Sequence, residues 1–327
     1  MTIDSQILRA LRTAGERPVS GAELAEQLGI SRAAVWARIE DFRKLGYDIH
    51  ASPHDGYRLR SAPDALLLGD DIMALLDNPS VIGRDIRVFQ ETTSTNDVIE
   101  KLGRDGVKEG VVVLADSQTR GRGRLGRSWM SATGQGLWFS VLLRPALAPQ
   151  AATRVTVASA TALARALIRA TKLPCQIKWP NDILVGDRKL CGILTEMNAE
   201  IEKIHYIVLG IGVNVNFQSA DFPEDLRSLA TSLRIETGKS WARTPLAAEI
   251  LKELDAVYER VRHGDFPAVA EEWESLCATL GRNVEISAGP RVIHGRAESL
   301  DDEGALLVRT EHGRLERVVG GDVTLKK

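Results

Sequence analysis

Four arginines, Arg120, Arg122, Arg124 and Arg127, fall within one short stretch, QTRGRGRLGRSW at 118–129, with no acid among them. Gly121, Gly123 and Gly126 are interleaved with them, which lets the backbone come close to a bound molecule. Guanidinium groups beside accessible backbone N–H groups suit phosphate or carboxylate. The glycines also spell G-x-G-x-x-G, the dinucleotide fingerprint. That fingerprint needs a preceding strand, a following helix and an acid about 20 residues on. Here the residues that follow, SWMSATGQGLWFSVLL, read as loop and strand, so the dinucleotide reading fails on context. The plainer alternative is a solvated basic loop.

A second group lies at 178–196, KWPNDILVGDRKLCGILTE, where Lys178, Asn181, Asp182 and Lys189 stand among apolar strand residues. One lysine on a strand is ordinarily a snorkelling surface residue. The clustering of Asn181 and Asp182 with Lys189 across a short hairpin points instead to a site. Asp182 could hold Mg²⁺ or orient an amine, and Lys189 could neutralise an oxyanion. A third group is TTSTND at 92–97. Ser94 or Thr95 would cap the helix that follows; the other reading is a row of small donors at a helix start that binds a polar ligand head. Nothing else carries a strong chemical signal. His50 and His54 are four apart in a surface hairpin, no H-E-x-x-H or Walker lysine occurs, and no Ser/His/Asp triad is indicated.

These groups need elements to hold them. Residues 1–62 read as three short helices and a hairpin, with Ser20 and Ser31 as N-caps, Gly29 and Gly46 as breaks, and a turn at 53–56. Val35, Ile39, Phe42 and Leu45 form the apolar stripe of the third helix. This is the pattern of a winged helix-turn-helix. SAPD at 61–64 reads as a boundary. Residues 65–275 alternate: strands at 86–90, 111–117, 136–144 and 205–216, two strands within 175–197 around a turn at 186–187, and helices at 152–172, 242–262 and 265–280. From Gly281 short strands with glycine turns suggest five strands of an SH3-like β-barrel. The fold class is therefore α+β and multidomain, with a winged helix-turn-helix at 1–62, a mixed α/β domain at 65–275 and a small barrel at 278–327.

Composition sets the outer limits. The chain has 327 residues, enough for two or three domains, and a formal net charge of −2, which excludes a globally basic nucleic-acid binder. Three cysteines without a C-x-x-C support neither a disulfide framework nor a zinc site. The first ten residues lack a signal-peptide pattern and no apolar run is long enough to span a membrane. The expectation is a cytoplasmic protein without membrane contact.

Taken together, STND at 94–97, QTRGRGRLGRSW at 118–129, KWPNDILV at 178–185, RKLCGILTE at 188–196 and GIGVNVN at 210–216 resemble, in family order, the bifunctional biotin protein ligases that double as biotin operon repressors. The resemblance covers nearly the whole chain, both end domains included. It implies that biotin and ATP, with Mg²⁺, give biotinyl-5′-AMP, and that the biotinyl group then passes to a lysine of a biotin carboxyl carrier protein. It implies that Ser94, Thr95 and Asn96 contact the biotin head, and that Gln118, Arg122, Gly123 and Arg124 lie over biotin and the adenylate. Lys189 would contact the biotin carboxylate and the phosphate, Trp129 would stack on adenine, and Arg127, Asn181 and Asn214 would lie on the adenylate side. The ATSL segment at 230–233 resembles the adenylate loop. Leu125 is a departure, because the loop can carry another arginine there. Lys189, Arg124 and Asp182 are the expected catalytic residues, with Asp182 helping to orient or deprotonate the acceptor lysine. Ser31, Arg32, Trp36 and Arg38 are the expected DNA contacts, operator DNA the partner, and a homodimer the assembly, since such modules read paired half-sites. A lipoate-type acyl-adenylating ligase and a regulatory ligand sensor without ligase activity are the competing readings. The RGRGRLGR and KWPND blocks argue against the first, and intact Arg122, Arg124 and Lys189 against the second.

Overall fold

The computed structural model describes residues 2–52, 55–64, 66–76, 78–289 and 291–325. Three helices open the chain: α1 (Ile3–Ala14), α2 (Gly21–Leu28) and α3 (Arg32–Lys44). Thr2, Ser20 and Ser31 cap them, each side chain accepting from a backbone N–H of the first turn. Their apolar stripes, Ile7, Leu8, Leu11, Leu24, Val35, Ile39 and Phe42, meet in one core. A hairpin of β1 (Asp48–Ser52) and β2 (Gly56–Ser61) follows as the wing. The expected turn and the histidine pair there fall partly on Pro53 and His54, which lie outside the described residues.

The helix α4 (Gly69–Leu75), absent from the sequence reading, joins this domain to the rest. Ala74 belongs to the N-terminal core, whereas Ile72, Met73 and Leu76 belong to the central one. Arg12 of α1 donates to both carboxylate oxygens of Asp71 at 2.8 Å, and Asp71 is buried.

The central domain is a seven-stranded mixed sheet in the order β3-β4-β5-β9-β8-β7-β6. Its strands are β3 (Asp85–Thr92), β4 (Val111–Gln118), β5 (Gly136–Leu143), β6 (Cys175–Lys178), β7 (Asp182–Val185), β8 (Arg188–Ala199) and β9 (Ile204–Asn214). Only β3 and β4 run parallel, and α5 (Thr95–Arg104) makes the crossover that a parallel pair requires. On β4 the two-residue period splits the faces: Val112 and Leu114 join the large core, Val111 and Val113 pack with Ile99 of α5. The large core is completed by α6 (Thr153–Thr171), α8 (Arg243–Arg262) and α9 (Phe266–Leu276), with the short α7 (Leu233–Thr237) ahead of α8. Residues 175–197 form three strands, not two. Pro180 has no N–H to give to a ladder, so the strand expected to run through 179–181 breaks into β6 and β7.

The five C-terminal strands are present: β10 (Asn283–Ala288), β11 (Arg291–Leu300), β12 (Leu306–Arg309), β13 (Leu315–Val318) and β14 (Asp322–Leu325), in the antiparallel order β13-β12-β11-β10-β14. Their buried residues, including Val284, Ile286, Leu306 and Val308, are continuous with the central core. Among the described residues no helix is long and apolar enough to cross a membrane.

Candidate functional site

The site sits on the α5 face of the sheet, beyond the start of that helix. Along β9 this face carries Tyr206 and Val208 under α5, then Gly210, Gly212 and Asn214. The two glycines are required by close approach. A Cβ on Gly210 would stand 2.3 Å from Asn96 Oδ1, and one on Gly212 would stand 2.4 Å from Trp129 Nε1. The sheet floor is thus stripped of side chains where the α5 start and the arginine loop lie on it, and a cavity of about 450 Å³ opens between them. All twelve residues expected to meet biotin or adenylate line it, Ser94, Thr95, Asn96, Gln118, Arg122, Gly123, Arg124, Arg127, Trp129, Asn181, Lys189 and Asn214, and so does Asp182 of the expected catalytic set. Lys178, the remaining polar residue of the second group, does not.

At one end the polar groups are joined in a buried network. Gln118 Oε1 accepts from the Thr95 backbone N–H at 2.8 Å and from Thr95 Oγ1 at 3.1 Å, while Gln118 Nε2 donates to Ser131 Oγ. Thr95 Oγ1 lies 2.6 Å from Ser140 Oγ, which donates to Asn96 Oδ1 at 2.5 Å. Ser94 takes the N-cap position of α5, but its side chain makes no capping hydrogen bond and is buried. The simple capping reading therefore fails for Ser94.

The arginine loop is a narrow hairpin held by Trp129 N donating to Gly121 O and Gly123 N donating to Arg127 O. At its tip Leu125 has φ 56°, an uncommon conformation for a branched side chain, and is 71% exposed. No helix follows, as the failed dinucleotide reading required. Three of the four cavity cations face carboxylates. Arg122 pairs with Asp97 at 2.5 Å, Arg127 pairs with Asp322 of β14, and Lys189 Nζ lies 2.6 Å from Asp182 Oδ1. Arg124 differs. Its Nη1 donates to Asn181 Oδ1 at 2.9 Å and to the Gly321 carbonyl at 3.3 Å, both neutral, and burial pushes its pKa below the usual guanidinium value. An arginine stays charged nonetheless, so a desolvated positive charge without a directly bonded carboxylate points at the cavity.

Lys189 is fixed from behind: its N–H donates to Leu229 O at 2.8 Å and its carbonyl accepts from Thr231 N at 2.9 Å. This seats the 230–233 segment beside it, and Asn214 Nδ2 holds the same segment through Thr231 O. Lys189 Nζ stands 5.2 Å from the centre of the Trp129 ring, whose edge meets Trp138. Burial raises the Cys175 thiol to about 12 and Cys191 higher still, so neither offers a thiolate.

Matches to known proteins agree with this arrangement. Residues 88–214 match the biotin/lipoate A/B protein ligase family, 4–58 a helix-turn-helix domain and 279–326 the biotin protein ligase C-terminal domain. The bifunctional ligase/repressor BirA of Bacillus subtilis is 35% identical over 324 residues, 99% of each chain, and that of Escherichia coli 32% identical over 308 residues, 94% of this chain and 92% of the other. The chain belongs to the bifunctional biotin ligase/repressor family. A solved biotin protein ligase from Aquifex aeolicus, in complex with biotin and ATP, is 30% identical to this family member with a TM-score of 0.64, covering 75% of this chain and 99% of that one.

The expected DNA contacts of this ligase/repressor homologue do not share one surface. Ser31 and Arg32 are exposed at the start of α3, and Trp36, one turn on, is 57% exposed. Arg38 faces α1 and pairs with Asp4. Sequence reasoning also missed several residues that shape the cavity. Ser140 and Ser131 were hidden in apolar strand and loop text. Phe222, Leu226 and Asp322 come from distant segments. Gly321 and Asp322, which reach the arginine loop from the C-terminal sheet, carry no motif of their own; only the fold brings them there.

Proposed function

We propose that this chain activates biotin with ATP to biotinyl-5′-AMP and transfers biotin to a lysine of a biotin carboxyl carrier protein. The observation that carries this reading is Arg124, a desolvated cation whose bonded partners are neutral, beside three further cations in the same cavity. A biotin carboxylate oxygen attacks the α-phosphorus, the bond to pyrophosphate breaks, and a mixed anhydride with AMP forms. The carboxylate is already a nucleophile, so charge neutralisation and in-line positioning suffice. Arg122, Arg124 and Lys189 supply them, with Arg127 and Trp129 on the adenylate side and Ser94, Thr95, Asn96 and Gln118 on the biotin head. Among the described residues no group of three or more His, Cys, Asp or Glu side chains converges. Magnesium would enter with ATP and offset phosphate charge, with Asp182 the carboxylate that could also meet it.

In the second step the carrier lysine attacks the acyl carbon, an amide forms, AMP leaves and the amine loses a proton. Asp182, which is paired with Lys189 in the cavity, is the residue assigned here to orient that amine or take its proton. Asp182→Asn should slow acyl transfer more than adenylation, measured by separate pyrophosphate-release and labelling assays; equal slowing removes the role. The decisive experiment for the whole reading is to incubate the protein with biotin, MgATP and a carrier domain and to seek a biotinylated lysine by mass. Absence of label, on a carrier that another ligase labels, overturns it; lipoate in place of biotin tests the acid.

The helix-turn-helix is the basis for a second role as a biotin-responsive repressor acting on operator DNA as a homodimer. Ser31, Arg32 and Trp36 form its contact face.

A further inference from the structure

Glu196, in the second half of β8, closes the 188–196 motif without being given a role there, yet it touches two residues proposed to meet the ligands. Its Oε2 accepts from Asn96 Nδ2 at 2.6 Å and lies 3.4 Å from Arg122 Nη2. Asn96 is held on its other side by Ser140 Oγ, which donates to Oδ1, and from below by Gly210. A side-chain amide can point either way, and a serine hydroxyl serves equally well as donor or acceptor. Ser140 therefore does not decide which end of the Asn96 amide faces it. An ionised carboxylate only accepts. Glu196 is thus the group that forces Nδ2 toward itself and Oδ1 toward Ser140. Through the same oxygen it meets Arg122, whose other partner is Asp97. One carboxylate joins the floor of the cavity to the loop above it.

We propose that Glu196 is a positioning residue: it sets the direction of the Asn96 amide for recognition of the acid substrate, and it holds the arginine loop over that substrate through Arg122. The assignment rests on the biotin-ligase reading above. It explains why this strand position carries an acid in a site that must attract anions. Arg122, which Glu196 shares with Asp97, offsets part of the acid's charge, and the property the site uses is its strictly accepting character.

The test compares Glu196→Gln with Glu196→Ala in the full chain. Gln keeps an acceptor for Asn96 Nδ2, because Arg122, which only donates, turns the amide oxygen to the point that both now share, but it has no charge for Arg122; Ala has neither. Biotin binding to the ATP-free protein is measured by calorimetry, trypsin cleavage at the loop arginines by mass, and the Km for ATP by pyrophosphate release. Loss of a hydrogen bond to a charged group should weaken biotin about 10-fold or more in Glu196→Ala. Glu196→Gln should return biotin affinity to within about threefold of wild type, since a neutral acceptor replaces a charged one. Both variants should show loop cleavage several-fold faster and a raised Km for ATP. A purely structural role predicts a lowered melting temperature with the two variants alike. Equal biotin affinity in Gln and Ala overturns the orienting role, and wild-type cleavage rates in Gln overturn the loop role. If the wild-type protein itself binds no biotin, the ligase reading fails first, before any variant is made.

Discussion

The cavity and the third helix both begin as clusters of basic residues in the sequence, and they end differently. In the cavity, four cations spread over 122–189 converge on one space. On α3, Arg32, Arg38, Arg43 and Lys44 are closer in sequence but diverge. Arg38 pairs with Asp4, Arg43 with Glu40 and the Ile49 carbonyl, and Lys44 with Asp41, leaving Arg32 on the open face beside Trp36. The reason is geometric. A helix turns about 100° per residue, so charges six apart face different sides, whereas a loop pinned to a bare sheet floor can aim successive side chains at one point. Density of charge along a chain says little about density in space.

This contrast can be broken. The largest effect should come from Lys189→Ala, which removes a cation anchored to the 229–231 segment. Biotinyl-adenylate formation should fall about 100-fold or more while the melting temperature stays near wild type; near-normal turnover would mean that the convergence is ornamental. Next is Gly212→Val, which leaves every charge in place but drives a side chain into the space of Trp129. Adenylation should fall about 10- to 100-fold, because misplacement of about 1 Å already has such a cost. Retained activity would show that the bare floor is not required. The smallest effect, and the sharpest for the comparison, concerns the helix. Arg32→Ala should weaken binding to duplex DNA about 5- to 30-fold. Arg38→Ala should leave it within about twofold and alter stability by no more than about 1 kcal/mol, as a surface pair does. Gel-shift titration and thermal melting separate the two, and equal losses of DNA affinity would refute the division.

Much of this was legible in the sequence because periodicity and caps are local. Ser20 and Ser31 cap the helices they were expected to cap, and the β4 and β5 boundaries fall within two residues of the apolar runs that announced them. The cavity lining was legible for a different reason: its residues sit in compact motifs whose resemblance to a known family is specific. What escaped was whatever depends on distant chain meeting distant chain. Ser140 lies in an unbroken apolar strand, Glu196 at the end of a motif, and Asp322 more than a hundred residues from the arginine it holds. Pro180 escaped for a local reason. The strand signal on either side of it was strong enough to hide the one residue that cannot join a ladder.

The short helix α4 has one more implication. Leu66, just ahead of it, accepts from Thr244 Oγ1 at 3.0 Å at the head of α8, and the neighbouring Arg243 is buried against Asp116 near the end of β4, two residues before Gln118. From Arg12 through Asp71 and α4 to α8 and the end of β4, elements in mutual contact lead to the rim of the candidate pocket. The N-terminal domain is therefore not a passenger on a string. A protein that clamps it, or a mutation that tilts it, applies torque to the same scaffold that shapes the pocket. Trimming the chain at residue 62 would in turn strip Asp71 of its counter-ion and uncover Ala74. Anyone wanting the smaller enzyme alone would have to rewrite that helix as well as remove the domain in front of it.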